Sequence, residues 1–113
     1  MELKLTERGP VSVVTMIGDL ELQEIEDFKS VMDRVLSREA PPRAVLGLAR
    51  VTRLTSYVVA MVGFYNAHFR QSGGTLVVAG APSAALRSFE LSGLASVLDL
   101  ADSVEAALKR LGA

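Results

Sequence analysis

The chain has 113 residues, of which 50% are hydrophobic and 22% are charged, and its formal net charge at pH 7 is -1. This length suits one domain with one core, and the composition is that of a folded protein, which excludes a disordered segment. The nearly balanced charge gives no long-range field for gathering phosphate backbones or anionic lipid, so we expect neither a nucleic-acid partner nor a membrane-surface partner.

Two further features of the composition limit the function. The sequence contains no cysteine, which excludes disulfides, thiolate metal sites and cysteine nucleophiles. The first ten residues lack the basic start and the apolar run of a signal peptide, and no apolar stretch approaches the ~20 residues that a membrane helix needs. We therefore expect one cytoplasmic domain over residues 1–113, without membrane insertion.

The chain begins with two short extended segments. Residues 2–6 alternate between polar and apolar side chains, and residues 11–17 are mostly apolar. Glu7, Arg8, Gly9 and Pro10 separate them, and a break of this kind predicts a tight turn between two adjacent strands.

A helix and a buried strand are predicted next. From Ile25 the apolar residues recur at the three-and-four spacing of a helix that packs one stripe on a core, and Pro41 and Pro42 close this helix. Residues 44–49 are a short run that is apolar on both faces, which is typical of a central strand. The helical stripe consists of Ile25, Phe28, Val31, Met32, Val35 and Leu36.

The second predicted helix starts at residues that cap helices. Thr55 and Ser56 are of that type, and the apolar stripe that follows them stops at Ser72, Gly73 and Gly74. The stripe consists of Val58, Met61, Val62, Tyr65 and Phe69.

The remaining segments repeat the alternation of strand and helix. Residues 75–79 predict a buried strand, Pro82 suits the first turn of a third helix through about Leu91, residues 97–100 suit a short last strand, and residues 103–111 suit a closing helix. The order β-β-α-β-α-β-α-β-α predicts an α/β domain with a mixed, mostly parallel sheet of about five strands and about four helices.

Several turn motifs in this order resemble those of a known family. Gly18-Asp19-Leu20-Glu21 follows the second strand, Ser72-Gly73-Gly74 precedes the fourth, and Phe89-Glu90-Leu91-Ser92-Gly93-Leu94 follows the third helix. Together with the segment 54–80 they resemble the STAS domain family, in its anti-sigma-factor antagonist branch. The resemblance spans nearly the whole chain and implies a regulatory domain that binds a partner protein.

The resemblance also implies a modification site. In this family the second helix opens with Asp-Ser-Ser-Gly or a close variant, and a partner kinase phosphorylates the second hydroxyl-bearing residue. Counted back from Gly63 and Tyr65, that stretch falls on Leu54-Thr55-Ser56-Tyr57. Ser56 is thus the implied phosphoacceptor, and a serine kinase that also acts as an anti-sigma factor is the implied partner.

Physical chemistry allows a phosphate at such a position. A helix N-terminus exposes unpaired N–H groups and a partial positive charge, and Arg50 and Arg53 lie just upstream. We expect Ser56 to act with partner-binding contacts from Thr55, Tyr57, Arg53, Asp19 and Glu21. A simpler interpretation stays open: Thr55 and Ser56 only cap the helix, and Asp19 and Glu21 only belong to acids that suit a first helical turn.

A second functional hypothesis starts from two departures from the motif. Leu54 stands where the family usually has Asp, and Tyr57 stands where it usually has Gly. An apolar rim round the site suits a permanent interface, so the alternative is a STAS scaffold that is not phosphorylated, or an accessory subunit of a signalling complex or a lipid-transport ATPase. Tyr57, Phe64 and His68 lie on a helix face away from the apolar stripe, where they could contact a partner or cover a neighbouring helix.

Catalysis is not expected. His68 is the only histidine, no nearby acid in the sequence orients it, and neither a phosphate-binding loop motif nor a paired acid and base occurs. We predict no enzyme activity, no cofactor and no metal. The identity of the partner stays open, as does assembly into a homo-oligomer or a larger signalling complex.

Overall fold

The computed structural model describes residues 2–38 and 41–113, so Met1, Glu39 and Ala40 lie outside the described part of the chain, and Leu22 is described by its backbone alone. Within it the secondary structure follows the predicted order, with one added turn of 3-10 helix at Leu22–Glu24 before the first α-helix. The described residues form five strands, β1 Glu2–Arg8, β2 Val11–Ile17, β3 Arg43–Arg50, β4 Thr75–Ala79 and β5 Asp99–Ala101, and four α-helices, α1 Ile25–Arg38, α2 Ser56–Gln71, α3 Ser83–Leu91 and α4 Val104–Arg110.

The strands form one sheet in the order β1-β2-β3-β4-β5. β1 and β2 are antiparallel and are joined at Gly9-Pro10, where Gly9 has a φ of 60° that suits a tight hairpin turn. The pairs β2–β3, β3–β4 and β4–β5 are all parallel. The predicted α/β class with a mixed, mostly parallel sheet is confirmed.

Helices cover the sheet on both faces. α1, α2 and α3 pack on one face, where buried side chains such as Phe28, Tyr65 and Phe89 join the larger apolar core. α4 packs on the other face through Ala107 and Leu108, against a smaller cluster that includes Val11, Val13, Val45 and Val77. The near-continuous apolar runs of β2, β3 and β4 follow from burial on both faces.

The last strand lies later in the chain than the sequence predicts. Residues 97 and 98 belong to a turn, in which the amides of Val97 and Leu98 both donate to the carbonyl of Leu94, and β5 begins only at Asp99. The side chains of Asn66 and Arg70 on α2 donate to the carbonyl of Val97 at 3.4 and 2.6 Å. These tertiary hydrogen bonds hold Val97 against α2 and out of the sheet, and local sequence does not reveal them.

α2 ends with a Schellman motif, in which the amide of Gly74 donates to the carbonyl of Phe69 and the amide of Gly73 to that of Arg70. Gly73 has a φ of +75°, which a side chain would strain. Gly74 passes against the loop before β3, because a Cβ atom there would lie 2.0 Å from the carbonyl oxygen of Pro42. The two glycines thus end α2 and let the chain turn closely into β4.

Candidate functional site

Ser56 is the first residue of α2, and its side chain is exposed. Thr55 precedes the helix in extended conformation, and its hydroxyl oxygen accepts a hydrogen bond from the Val58 amide at 3.3 Å. The first backbone bond of the helix joins the Val59 amide to the Thr55 carbonyl. Thr55 is therefore the N-cap, and the hydroxyl of Ser56 stands at the exposed positive end of a 16-residue helix.

Asp19 holds the loop that leads to this helix. One of its carboxylate oxygens accepts hydrogen bonds from the amides of Thr52 and Arg53, at 2.8 and 3.1 Å. The preceding residue, Gly18, donates its own amide to the carbonyl of Arg50 at 2.9 Å. The turn after β2 is thus fastened to the loop after β3, three residues before Ser56. The structure assigns the Asp19 carboxylate to this internal contact, and its partner-binding role stays a prediction.

The other charged residues predicted for the site lie on either side of that contact. Arg50 ends β3, Arg53 lies in the following loop, and both are exposed. Glu21 is also exposed, and its amide donates to the Glu24 carboxylate at 3.0 Å, which is the pattern of a residue at a helix start. Asp19 and Arg53 therefore meet through the backbone of Arg53, whereas Glu21 takes part in starting the 3-10 helix. Contacts of these side chains with a partner remain predictions.

The outer face of α2 carries no charge over most of its length. Between Ser56 and Ala67 the helix has no charged residue, and Tyr57 and Phe64 are 52% and 51% exposed. Ala60 and Ala67 on the same side are exposed as well. Surface helices normally place charged residues outward, so the uncharged outer face of α2 departs from the usual pattern and suits contact with another molecule.

His68 lies at the far end of this face. Its ring is half-buried and stacks at a tilt on Phe64, with 4.3 Å between the ring centroids. Tyr57 and Phe64 are therefore exposed and His68 is exposed only in part, while contact of these side chains with a partner stays a prediction.

Besides the outer face of α2, Ser56 also borders a groove of about 280 Å³. It runs between the start of α2 and the end of α3, where Leu91 is 79% exposed. Leu54 lies at its floor with only 7% of its surface exposed and belongs to the main core. The interpretation of Leu54 as part of an exposed apolar rim is therefore wrong, since burial in the core accounts for its apolar character. The groove is lined by Leu54, Ser56, Val59, Ser88, Leu91 and Ser92.

Leu91 is a surface residue that the sequence did not single out. It is the last residue of α3, and an apolar residue just before a Ser-Gly helix stop is equally typical of a buried position. Only the position of α3 relative to α2 shows that Leu91 is exposed next to the Ser56 groove.

A polar contact at the edge of the core joins α2 to α1. The Tyr65 hydroxyl donates to the Asp33 carboxylate at 2.8 Å, and its ring meets that of Phe28 edge to face. Burial of the Tyr65 side chain raises the pKa of its phenol well above the ordinary value, and the hydrogen bond to the Asp33 carboxylate raises this pKa further. The hydrogen bond from this phenol to Asp33 ties α2 to α1.

Two further features of the described residues bear on other functions. Residues 2–38 and 41–113 contain no helix that is both long and apolar enough to cross a bilayer. The same residues contain no group of three His, Asp or Glu side chains positioned to hold a metal ion.

Comparison with known proteins places this geometry in a family. The family model described as "Mlab, STAS domain" matches residues 3–107. The chain therefore belongs to the STAS domain family, as its turn motifs suggested.

Solved structures agree in fold over nearly the whole chain. The protein TM1081 of Thermotoga maritima superimposes with a TM-score of 0.86 at 17% identity, covering 96% of this chain and 92% of that one. An anti-sigma factor antagonist from Mycobacterium paratuberculosis gives 0.85 at 20% identity, covering 96% and 92%. The Bacillus cell fate determinant SpoIIAA in its phosphorylated form gives 0.73 at 15% identity, covering 97% and 99%. At these identities the matches establish a shared fold.

Proposed function

We propose that this domain is an anti-sigma-factor antagonist whose binding to a serine kinase is switched by phosphorylation of Ser56. The observation that carries the proposal is the position of Ser56, exposed at the first residue of α2 and at one end of the uncharged outer face of that helix. The unmodified domain docks this surface on a kinase that otherwise holds a sigma factor, and the sigma factor is released.

The modification itself requires only an accessible hydroxyl. The kinase transfers the γ-phosphoryl group of ATP to the Ser56 oxygen, a base of the kinase takes the hydroxyl proton, and ADP leaves. Thr55 caps the helix and Asp19 fastens the preceding loop, so the acceptor is presented on a fixed segment. The fold match to SpoIIAA in its phosphorylated form supports a modified state of this architecture.

Phosphorylation acts here through charge and not through a change of shape. A phosphate carries nearly two negative charges, and at a helix N-terminus it is favoured by the partial positive charge there, so the helix does not melt. At an interface the same charges lose their hydration and lie against partner groups that complement the neutral hydroxyl of the unmodified serine. Such a mismatch costs about 2–5 kcal/mol, which is roughly a 30-fold to several-thousandfold loss of affinity.

The experiment compares two serines in equivalent positions. Ser83 is exposed and is the first residue of α3, as Ser56 is of α2. We expect Ser56→Glu to release the kinase that co-purifies with the domain from its native cell, and Ser83→Glu to retain it. Phosphosite mapping after incubation with that kinase and ATP is expected to find phosphate on Ser56 and none on the Ser56→Ala protein. Undiminished phosphorylation of Ser56→Ala would remove this residue from the proposal.

A second candidate function is favoured by the uncharged outer face of α2. Tyr57 and Phe64 are half exposed along that face, and aromatic anchors of this kind suit a permanent interface. The domain would then be a constitutive scaffold or accessory subunit, as in a signalling complex or beside a lipid-transport ATPase. A partner that stays bound to Ser56→Glu but is lost on Phe64→Ser would favour this second function over the switch.

A further inference from the structure

We propose that the domain forms a two-fold symmetric dimer by pairing strand β1 with β1 of a second copy. The sheet edge at β1 does not include Ser56, so this dimer is independent of the proposed function. Three properties of β1 favour the dimer: its edge position, the direction of its free backbone groups and its charge pattern.

β1 is the longest free edge of the sheet. It is seven residues long and pairs with β2 on one side only, whereas the strand at the opposite edge, β5, has three residues. A free edge presents unpaired N–H and C=O groups to the surroundings, and an added strand satisfies them. β1 is thus the part of the described sheet with the largest unused pairing capacity.

The hairpin determines which residues offer these groups. Arg8 is opposite Val11 across the two-residue turn, and in such a hairpin the residues flanking the turn form a hydrogen-bonded pair. Residues 2, 4, 6 and 8 therefore bond to β2, while Leu3, Leu5 and Glu7 direct their N–H and C=O groups outward. A second strand has to pair with these three residues.

Several registers let Leu3, Leu5 and Glu7 form these hydrogen bonds, and the charges on β1 favour one of them. With the two-fold axis at Leu5, Glu2 of each copy faces Arg8 of the other, and Lys4 faces Thr6. Moving the axis to Lys4 would place the two Lys4 side chains opposite each other, and moving it to Thr6 would place Lys4 opposite Arg8. Opposite charges attract across non-hydrogen-bonded pairs, where side chains are closest, and like charges repel.

The same register pairs side chains on both faces of the sheet, and on the α1 face it places Leu3 of each copy opposite Glu7 of the other. Glu2, Lys4, Thr6 and Arg8 are exposed, and Arg8 lies near Glu105 of α4, with 3.5 Å between charged atoms. On the α1 face, Leu3 and Leu5 are half-buried at the border of the main core, and the axis brings Leu5 against Leu5. Charged residues normally protect an edge from association, but here they exclude the shifted registers and stabilise the centred one.

The interface is small, so we expect a weak dimer that is populated between about 10 µM and about 1 mM. Sedimentation velocity over this range measures the dissociation constant.

We expect Glu2→Arg to weaken the dimer about tenfold or more, because two attractive pairs become repulsive. The double variant Glu2→Arg/Arg8→Glu restores opposite charges and is expected to restore dimerisation. Glu90→Arg is the matched control, because it makes the same change of charge at an exposed residue of α3, away from β1, and we expect it to leave the affinity within about threefold.

Hydrogen exchange provides a second readout. The amides of Leu3, Leu5 and Glu7 are expected to become protected as the concentration rises, while those of Lys4 and Thr6, already bonded to β2, stay unchanged. A protein that remains monomeric throughout the range would overturn the inference. So would a dimer that is indifferent to Glu2→Arg, a double variant that does not recover, or protection that rises elsewhere but not at these three amides.

Discussion

Thr55 gives its side-chain oxygen to the Val58 amide, whereas Ser56, one residue later, begins α2 with its side chain exposed. Two adjacent hydroxyl residues thus have different surroundings, although their local sequence makes them equivalent cap candidates. We expect Thr55→Ala to lower the free energy of unfolding by about 0.5–2 kcal/mol, the usual cost of a lost N-cap. Ser56→Ala is expected to change it by less than about 0.5 kcal/mol. Urea denaturation of both variants tests this, and equal losses would contradict the assignment of the cap to Thr55.

Asp19 makes a contact that spans 33 and 34 positions of sequence. We expect Asp19→Ala to destabilise the fold by about 1–3 kcal/mol, because it leaves the amides of Thr52 and Arg53 without their acceptor. Asp19→Asn keeps an acceptor oxygen of the same shape and should recover part of this loss. Amide exchange at residues 52 and 53 provides the measurement, and unchanged exchange in Asp19→Ala would show that the contact does not hold the loop.

At the scale of single elements, the two glycines after α2 differ in what a side chain would meet. Gly73 lies in open space with a positive φ, whereas a Cβ on Gly74 would collide with the backbone of Pro42. We expect Gly73→Ala to cost about 1–2 kcal/mol from backbone strain. Gly74→Ala should cost more, because it also forces apart the hydrogen bond from the Thr75 amide to the Pro42 carbonyl. Comparison of the two unfolding midpoints checks this order, which reversed midpoints would refute.

The Tyr65 contact between α1 and α2 makes stability depend on alkaline pH. The pKa of the phenol is raised in the folded protein, mainly by burial, relative to about 10 in the unfolded chain. This contribution is fully present below pH 10 and is lost as the pH rises toward the folded-state pKa. Above pH 10 we expect the wild type to lose up to about 1.4 kcal/mol per pH unit more than Tyr65→Phe, which has no phenol to ionise. Unfolding curves at several pH values from 9 to about 11.5 give the two slopes, and parallel slopes would contradict the assignment.

Most elements of the fold were predictable because their sequence patterns are local. The stripe on α2 and the doubly buried runs of β3 and β4 each specify one type of element. β5 was displaced because its neighbour Val97 is held by Asn66 and Arg70 from another part of the chain. A three-residue strand has too little pattern of its own to outweigh such contacts.

At the scale of the whole molecule, the sequence predicts the candidate site around Ser56 only where the site depends on neighbouring residues in the chain. The exposed start of α2 at Ser56 follows from cap residues and a helical stripe, and the sequence supplied both. The tie from Asp19 to the loop before α2, the burial of Leu54 and the exposure of Leu91 depend on how separate elements pack. Residue type alone does not distinguish these outcomes, since a leucine beside a groove is found buried beneath it as often as exposed at its edge.

The second face of the sheet depends on one short helix. Among the described residues α4 alone covers it, and Leu108 is 1% exposed at the centre of that contact. We expect Leu108→Ala to cost about 2–5 kcal/mol through the cavity it leaves. The exposed neighbour Lys109 serves as control, and Lys109→Ala is expected to change stability by less than about 0.5 kcal/mol. Similar thermal midpoints for the two variants would contradict this role of α4.

The order of the strands in space repeats their order in the chain, so each strand joins an edge that the preceding segment has already formed. During synthesis the chain is therefore able to assemble β1 to β4 with the helices between them before α4 is made. α4 comes last, so until residues 104–110 emerge the apolar surface of Val13, Val45 and Val77 faces water. Premature termination just before this helix would leave a nearly complete sheet with one exposed apolar face, and such a species is prone to aggregation and degradation.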